Sequence, residues 1–166
     1  MKRVIVIGCP GSGKSTFSRK LHTITQLPLH HLDMIYWKPD RSALPKDVFR
    51  SKLFQLLQEE KWIIDGNYAS TMEQRMQACD TIIFLDYPTE LCVEGALSRL
   101  GKTRSDIAWA EAEQEIDTEF MEFIQNFQKN SRPVVLELLE KYNENAIFCF
   151  HNRQDADDFL TKLQAE

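Results

Sequence analysis

Long apolar runs are missing from this chain of 166 residues, and none approaches the ~20 residues that a membrane-crossing helix requires. A membrane-crossing helix is not expected on that ground. Lys2 and Arg3 followed by a short apolar stretch imitate a secretion signal, but Pro10 and the glycines around it interrupt the pattern at once. A cytoplasmic protein is expected. Positive charge is also scarce: 20 Lys and Arg stand against 25 Asp and Glu, a net charge of −5 and a pI of about 5.4. A domain built to grip duplex DNA usually carries a strongly basic face, so direct nucleic-acid binding is not expected. The four cysteines, Cys9, Cys79, Cys92 and Cys149, are scattered and form no C-x-x-C pair. That argues against a zinc site or a disulfide framework. Glycine is sparse as well, six in all with no two adjacent, yet Gly8, Gly11 and Gly13 fall within one short stretch.

That stretch reads Gly8-Cys9-Pro10-Gly11-Ser12-Gly13-Lys14-Ser15, or G-x-x-x-x-G-K-S, and follows the apolar run Val4-Ile5-Val6-Ile7. A helix-compatible segment comes next, which is the context a phosphate-binding loop needs. Glycine permits backbone angles and a close approach that a Cβ would obstruct. Successive N–H groups then converge on phosphate oxygens, and the helix starting near Gly13 adds its free N–H groups and positive dipole end. Lys14 is expected to reach the β- and γ-phosphates, Ser15 to ligate Mg²⁺, and Thr16 to contact the α-phosphate. Gly8, Pro10, Gly11, Ser12, Gly13, Lys14, Ser15 and Thr16 thus form the expected nucleotide site, with ATP and Mg²⁺ as cofactors. No [N/T]-K-x-D stretch is present to read guanine, and no L-S-G-G-Q, so GTPases and ABC-type ATPases are disfavoured.

The rest of the chain alternates strand and helix signals. Phe17, Leu21 and Ile24 make a helical stripe running to about Thr25. Leu27 to Leu32 reads as a second strand with Asp33 at its end, and Met34 to Leu44 as a loop or broken helix. Pro45 and Asp47 suit the start of a helix that continues to Glu60. Trp62-Ile63-Ile64 is a third strand stopped by Asp65-Gly66-Asn67, and a short helix around 71–78 leads to Thr81–Leu85, an apolar run fit for burial on both faces. Asp86-Tyr87-Pro88 closes that strand, and Thr89 can cap the helix that follows. Two helices over 117–129 and 133–142, a fifth strand over 146–150 and a terminal helix capped by Asp155 complete the pattern. Alternation of this kind predicts an α/β fold with a mainly parallel sheet in one domain, 1–166, with a lid over about 99–116.

Ligands of such sheets sit beyond the C-terminal ends of the strands, which singles out three carboxylates. Asp65 is expected to face Ser15 across the Mg²⁺ site. Asp86 is its rival, but an Asp two residues before proline reads more simply as a turn. Asp33 suits an acceptor: a hydroxyl benefits from a carboxylate that orients it or takes its proton, and a sugar hydroxyl could equally be its hydrogen-bond partner. Phosphoryl transfer also needs cations that close over the phosphates. Arg99, Lys102 and Arg104 are the lid candidates; Arg75 follows the Asp65-Gly66-Asn67 turn, where a basic side chain could meet an acceptor, and Arg75 and Arg132 read more simply as surface charges. Tyr36 and Trp37 read as an acceptor wall or as core, and one of His30 and His31 as a partly buried histidine.

Taken together, the loop, Asp33-Met34-Ile35-Tyr36-Trp37-Lys38-Pro39, Ile64-Asp65-Gly66-Asn67-Tyr68, Phe84-Leu85-Asp86-Tyr87-Pro88 and Gly101-Lys102-Thr103-Arg104-Ser105-Asp106 resemble the bacterial family labelled "DNA topology modulation protein", small adenylate kinase-like P-loop proteins. The resemblance covers nearly the whole chain. It implies a P-loop NTPase fold with a five-stranded parallel sheet in the order 2-3-1-4-5, flanked by helices, with a small acceptor region and a lid. In adenylate kinases the strand beside the P-loop strand ends in Asp-Gly, which matches Asp65-Gly66 and supports its role at Mg²⁺. The Phe-Pro-Arg continuation that contacts the acceptor phosphate is replaced by Asn67-Tyr68. Shikimate-type kinases share the size and an Asp after the second strand, but their glycine-rich acceptor turn has no counterpart.

The expected function is an ATP- and Mg²⁺-dependent phosphotransferase acting on a small acceptor, a nucleotide or nucleoside by resemblance. Its catalytic residues would be Lys14, Asp33, Arg99 and Arg104, and its metal residues Ser15 and Asp65. The alternative is a nucleotide-gated regulator that influences DNA topology through a partner. The sequence carries no signal for oligomeric state.

Overall fold

The computed structural model describes residues 1–102, 104–107 and 117–165. Five parallel strands form one sheet: β1 (Arg3–Gly8), β2 (Leu29–His31), β3 (Trp62–Asp65), β4 (Thr81–Leu85) and β5 (Ala146–Phe150), in the order β2-β3-β1-β4-β5. Helices supply the crossovers: α1 (Lys14–Thr25), α2 (Leu32–Tyr36), α3 (Lys46–Leu57), α4 (Ala69–Ala78), α5 (Thr89–Leu97), α6 (Thr118–Asn130), α7 (Arg132–Lys141) and α8 (Arg153–Ala165). The three central strands are the ones whose sequences are apolar without alternation. Val4 to Ile7, Trp62 to Ile64 and Ile82 to Phe84 have no exposed surface at all, as covering helices on both faces demand. Each such large side chain contributes about 1.5–3 kcal/mol by leaving water. β5 is an edge strand and alternates instead. Phe148 and Phe150 pack on Phe159 of α8, and Phe150 also meets Phe17 of α1; Cys149 points the other way.

Register sets the ends of β1, β3 and β4 side by side. Val6 pairs with Asp65 and Gly8 with Leu85, so the loops after these strands open at one edge. The second strand is shorter than its apolar run predicts. Its ladder stops at His31 opposite Asp65, where β3 also ends. With no strand left to pair with, the chain turns helical, and Asp33 sits in the first turn of α2 rather than at a strand end. Leu32 is fully buried there, and a Cβ on Gly66 would lie 3.0 Å from its Cβ. Two expected caps also differ. Thr89 is the first residue of α5 after Pro88, with no side-chain cap. At α8 the cap is Asn152: its Oδ1 accepts from the Asp155 amide at 2.9 Å, while its Nδ2 donates to Asp155 Oδ2 at 2.7 Å. One free amide of the helix start is thereby satisfied.

Candidate active site

The loop from Gly8 to Gly13 carries β1 into α1. Gly8, Gly11 and Gly13 all have positive φ, and Gly13 caps α1 at φ 92°. Gly11 is the least replaceable: a Cβ there would fall 1.9 Å from the Cys92 carbonyl oxygen, and one on Gly95 2.0 Å from the Gly11 oxygen. Helix α5 therefore presses backbone to backbone on the loop and fixes its shape. Gly13 differs, with open space where its Cβ would be. Ser12 Oγ is buried without a partner. An orphaned hydroxyl and a cradle of N–H groups beneath open space fit the phosphates of a nucleotide. Lys14 donates to the carbonyls of Gly8 and Cys9 at 2.9 and 3.1 Å. Burial pushes its ammonium pKa down, and the charge of Asp65 counters this. Arg99 and Asp33 act on Lys14 as well, so Lys14, Asp65, Asp33 and Arg99 share one electrostatic neighbourhood.

The loop after β3 is built by residues whose roles sequence reading missed. Asn67 binds both polar groups of Gly8: its Oδ1 accepts from the Gly8 amide at 3.1 Å and its Nδ2 donates to the Gly8 carbonyl at 2.6 Å. It pins the start of the phosphate loop as a neighbouring strand would. Arg75, a candidate to meet the acceptor, is fully buried. Its guanidinium donates to the carbonyls of Gly66 at 2.8 Å and Tyr68 at 3.3 Å, and also to that of Asn67. Burial brings its pKa down to about 10. This staple holds Tyr68 at φ 38°, a left-handed conformation that costs a bulky residue on the order of 1–2 kcal/mol. The strained tyrosine is thereby aimed: its hydroxyl donates to Asp33 Oδ1 at 2.6 Å. Burial, then the Asp33 charge, raises the phenol pKa. Tyr36 stacks edge-on against Phe49 and Trp37 and also touches Tyr68. The tyrosine of the Tyr36-Trp37 pair thus joins an aromatic wall next to Asp33.

Asp65 is 4% exposed, and its Oδ2 lies 2.6 Å from His31 Nδ1. A second buried carboxylate lies near α1. Asp106, in the segment after α5, is 4% exposed. Arg104 donates to it from Nε at 3.2 Å and Nη2 at 2.8 Å, and Arg19 Nη1 of α1 is 3.9 Å away. Burial would raise the Asp106 carboxyl, but Arg104 and Ser15 together hold it well below the usual range. Of the expected lid, Thr103 and residues 108–116 lie outside the described residues.

Asp86, the third strand-end carboxylate, faces away from this group. Arg132 grips both its oxygens at 2.7 and 2.8 Å, and His151 Nδ1 lies 3.5 Å from Oδ2. Cys149 is the next neighbour, its Sγ 4.0 Å from His151 Nε2. The C-x-H spacing of Cys149 and His151 was the sequence signal for this cluster. Because Arg132 holds the carboxylate, the cluster is a clamp that ties α7 to the ends of β4 and β5.

Three solved structures of similar shape are kinases. The shikimate kinase from Acinetobacter baumannii in complex with shikimate matches with a TM-score of 0.63 at 15% identity, over 98% of this chain and 90% of that one. This chain shares its fold, a five-stranded parallel sheet flanked by helices. The shikimate kinase of Bacteroides thetaiotaomicron matches at 0.58 and 16% identity over 99% and 97% of the two chains. A gluconokinase from Sinorhizobium meliloti matches at 0.57 and 13%, over 99% and 90%. No protein-family model and no curated protein sequence matches the chain.

Proposed function

We propose that this protein is an ATP- and magnesium-dependent phosphotransferase whose acceptor is a small hydroxylated molecule of the nucleoside class. The observation that carries this reading is Asp33, which shares the electrostatic neighbourhood of Lys14 and has one oxygen fixed by Tyr68. Mg²⁺–ATP supplies the transferable phosphoryl group and neutralises part of its charge. Gly11, Ser12 and Gly13 and the first turn of α1 bind the phosphates; Lys14 and Arg99 oppose the charge that builds on them. Ser15 and Asp65 offer the hard oxygen donors that magnesium takes. Asp33 orients the acceptor hydroxyl and takes its proton, and Tyr68 keeps the carboxylate in place. The aromatic wall of Tyr36 and Tyr68 offers a flat surface to a ring. Arg75, committed to three carbonyls, is withdrawn from phosphate binding, and this favours a hydroxyl over a nucleoside monophosphate. The complex of the Acinetobacter baumannii enzyme with shikimate gives a precedent for a hydroxylated acceptor on this fold.

The test is ADP release from ATP and Mg²⁺ against panels of nucleosides, nucleoside monophosphates and hydroxylated metabolites. Stimulation by a nucleoside, lost in Lys14→Ala and Asp33→Asn, is the expected result. Tight ATP binding with no stimulation by any acceptor would favour the nucleotide-gated regulator instead.

A further inference from the structure

Among the described residues, one group of acidic, histidine and cysteine side chains brings a ligand atom from each of three residues within 4.8 Å of the others: Asp86, Cys149 and His151. The three do not play equal parts. Asp86 is buried and gives both oxygens to Arg132, so its charge is already answered by the guanidinium. It also orients His151, whose Nδ1 lies 3.3 Å from the Asp86 carbonyl oxygen and 3.5 Å from Oδ2. Both of those oxygens accept, so Nδ1 carries the proton and the lone pair of the neutral ring falls on Nε2. Nε2 is the atom 4.0 Å from Cys149 Sγ. Cys149 and His151 stand two residues apart where β5 ends, the spacing that puts both side chains on one side of the sheet. Cys149 is exposed, and His151 keeps 66% of its side-chain surface.

Two chemistries could use a thiol that faces an imidazole. A nucleophile needs a thiolate held ready, yet desolvation of the sulfur, then the Asp86 charge, raises the Cys149 thiol above its ordinary value. A metal ion displaces the thiol proton itself. It also favours an imidazole whose far nitrogen donates to a carboxylate or a carbonyl, as that of His151 does. Bonds of about 2.3 Å to sulfur and about 2.0–2.1 Å to imidazole let one zinc ion bridge at most about 4.4 Å. The observed 4.0 Å lies inside that reach. Scattered cysteines argue against a closed site of four protein ligands, whereas two ligands completed by solvent make an open one. We propose that Cys149 Sγ and His151 Nε2 bind a borderline-soft divalent cation of the zinc class, with Asp86 orienting the imidazole and solvent filling the remaining positions. The sulfur–metal bond forms as the thiol proton leaves to solvent. This cation site is independent of the reading of the phosphate loop as an ATP site.

Titration of Co²⁺, a coloured stand-in for zinc, into the reduced whole protein tests it. Wild type is expected to gain a thiolate-to-cobalt charge-transfer band that saturates at one ion per chain and is discharged by Zn²⁺ but not by Mg²⁺. Cys149→Ser should abolish the band. His151→Ala should weaken Co²⁺ binding by about 10-fold or more, since losing a ligand costs no less than losing an outer partner. Both side chains are exposed, so both variants should keep the wild-type circular dichroism and melting temperature. No band in wild type, a band kept in full by Cys149→Ser, or one ion shared by two chains overturns the proposal. So does a His151→Ala that binds Co²⁺ as wild type does. Nitrogen NMR of labelled histidine gives a second readout: Zn²⁺ should shift Nε2 of His151 and leave Nδ1 protonated, and a shift at Nδ1 alone contradicts the assignment.

Discussion

Asp65 and Asp86 occupy matching positions, each at the C-terminal end of a buried strand next to β1, yet they are built into opposite kinds of structure. Asp65 shares its side of the sheet with His31, Lys14 and Asp33, all of which can address a ligand. Asp86 gives both oxygens to Arg132 and has His151 beside it, an arrangement that closes on itself. Both are almost fully buried, at 4% and 5% exposure, so burial does not separate them. The partner does. A strand-end carboxylate matched by a bidentate arginine from a distant helix is a tie between elements. One matched by a histidine, with a half-buried lysine in its electrostatic neighbourhood, is left available to a ligand.

If that contrast is sound, its two halves fail differently. Asp65→Asn is expected to cut phosphoryl transfer by about 100-fold or more, as loss of an electrostatic group at phosphate does, with little change in thermal stability. Arg132→Met should do the reverse, leaving Asp86 charged and buried and costing about 3 kcal/mol in chemical denaturation, while the folded fraction stays active. Equal activity losses in the two variants would break the comparison. Asn67→Ala removes both bonds to Gly8 and should cost about 1–2 kcal/mol, along with a measurable loss of ATP affinity. Asn67→Asp sharpens the point, because a carboxylate accepts from the Gly8 amide but cannot donate to its carbonyl. Tyr68→Phe gives up one hydrogen bond to Asp33. About 1 kcal/mol of stability and a few-fold rise in acceptor KM at unchanged ATP affinity are expected.

The smallest effect lies at the opposite ends of the strands, where β1 and β4 begin. Burial would raise the Asp80 carboxyl, but Thr81 and the amides of Arg3 and Lys2 hold it below its ordinary value. A depressed carboxylate contributes stability that is present above its unfolded pKa and lost as pH falls through its folded one. Asp80→Asn should therefore be less stable than wild type at neutral pH. The gap should close as urea melts are taken below about pH 4, whereas a gap independent of pH would refute the assignment.

Much of this arrangement was legible before any coordinates. The phosphate loop announces itself because its glycines, lysine and serine are adjacent in sequence, and the central strands because burial on both faces demands unbroken apolar runs. Contacts made across the sheet left weaker traces. His31 meets Asp65 only because two parallel strands end in register. Asn67 reaches Gly8 across 59 positions and Arg132 reaches Asp86 across 46. Asp106 stood in the sequence as one more polar residue of a polar stretch, since nothing local shows that it folds back on α1. Arg75 is the converse case: an arginine after a strand-end turn reads as a surface charge or an acceptor contact, and its burial against three carbonyls leaves no trace in the sequence.

Phosphorus NMR of one reaction mixture tests the central claim most directly. The protein, ATP, Mg²⁺ and the nucleoside that best stimulates ADP release should give ADP and a new phosphate-ester resonance in equal amounts, neither of them with Lys14→Ala. ADP appearing only with inorganic phosphate, at the same rate with or without the nucleoside, would contradict it.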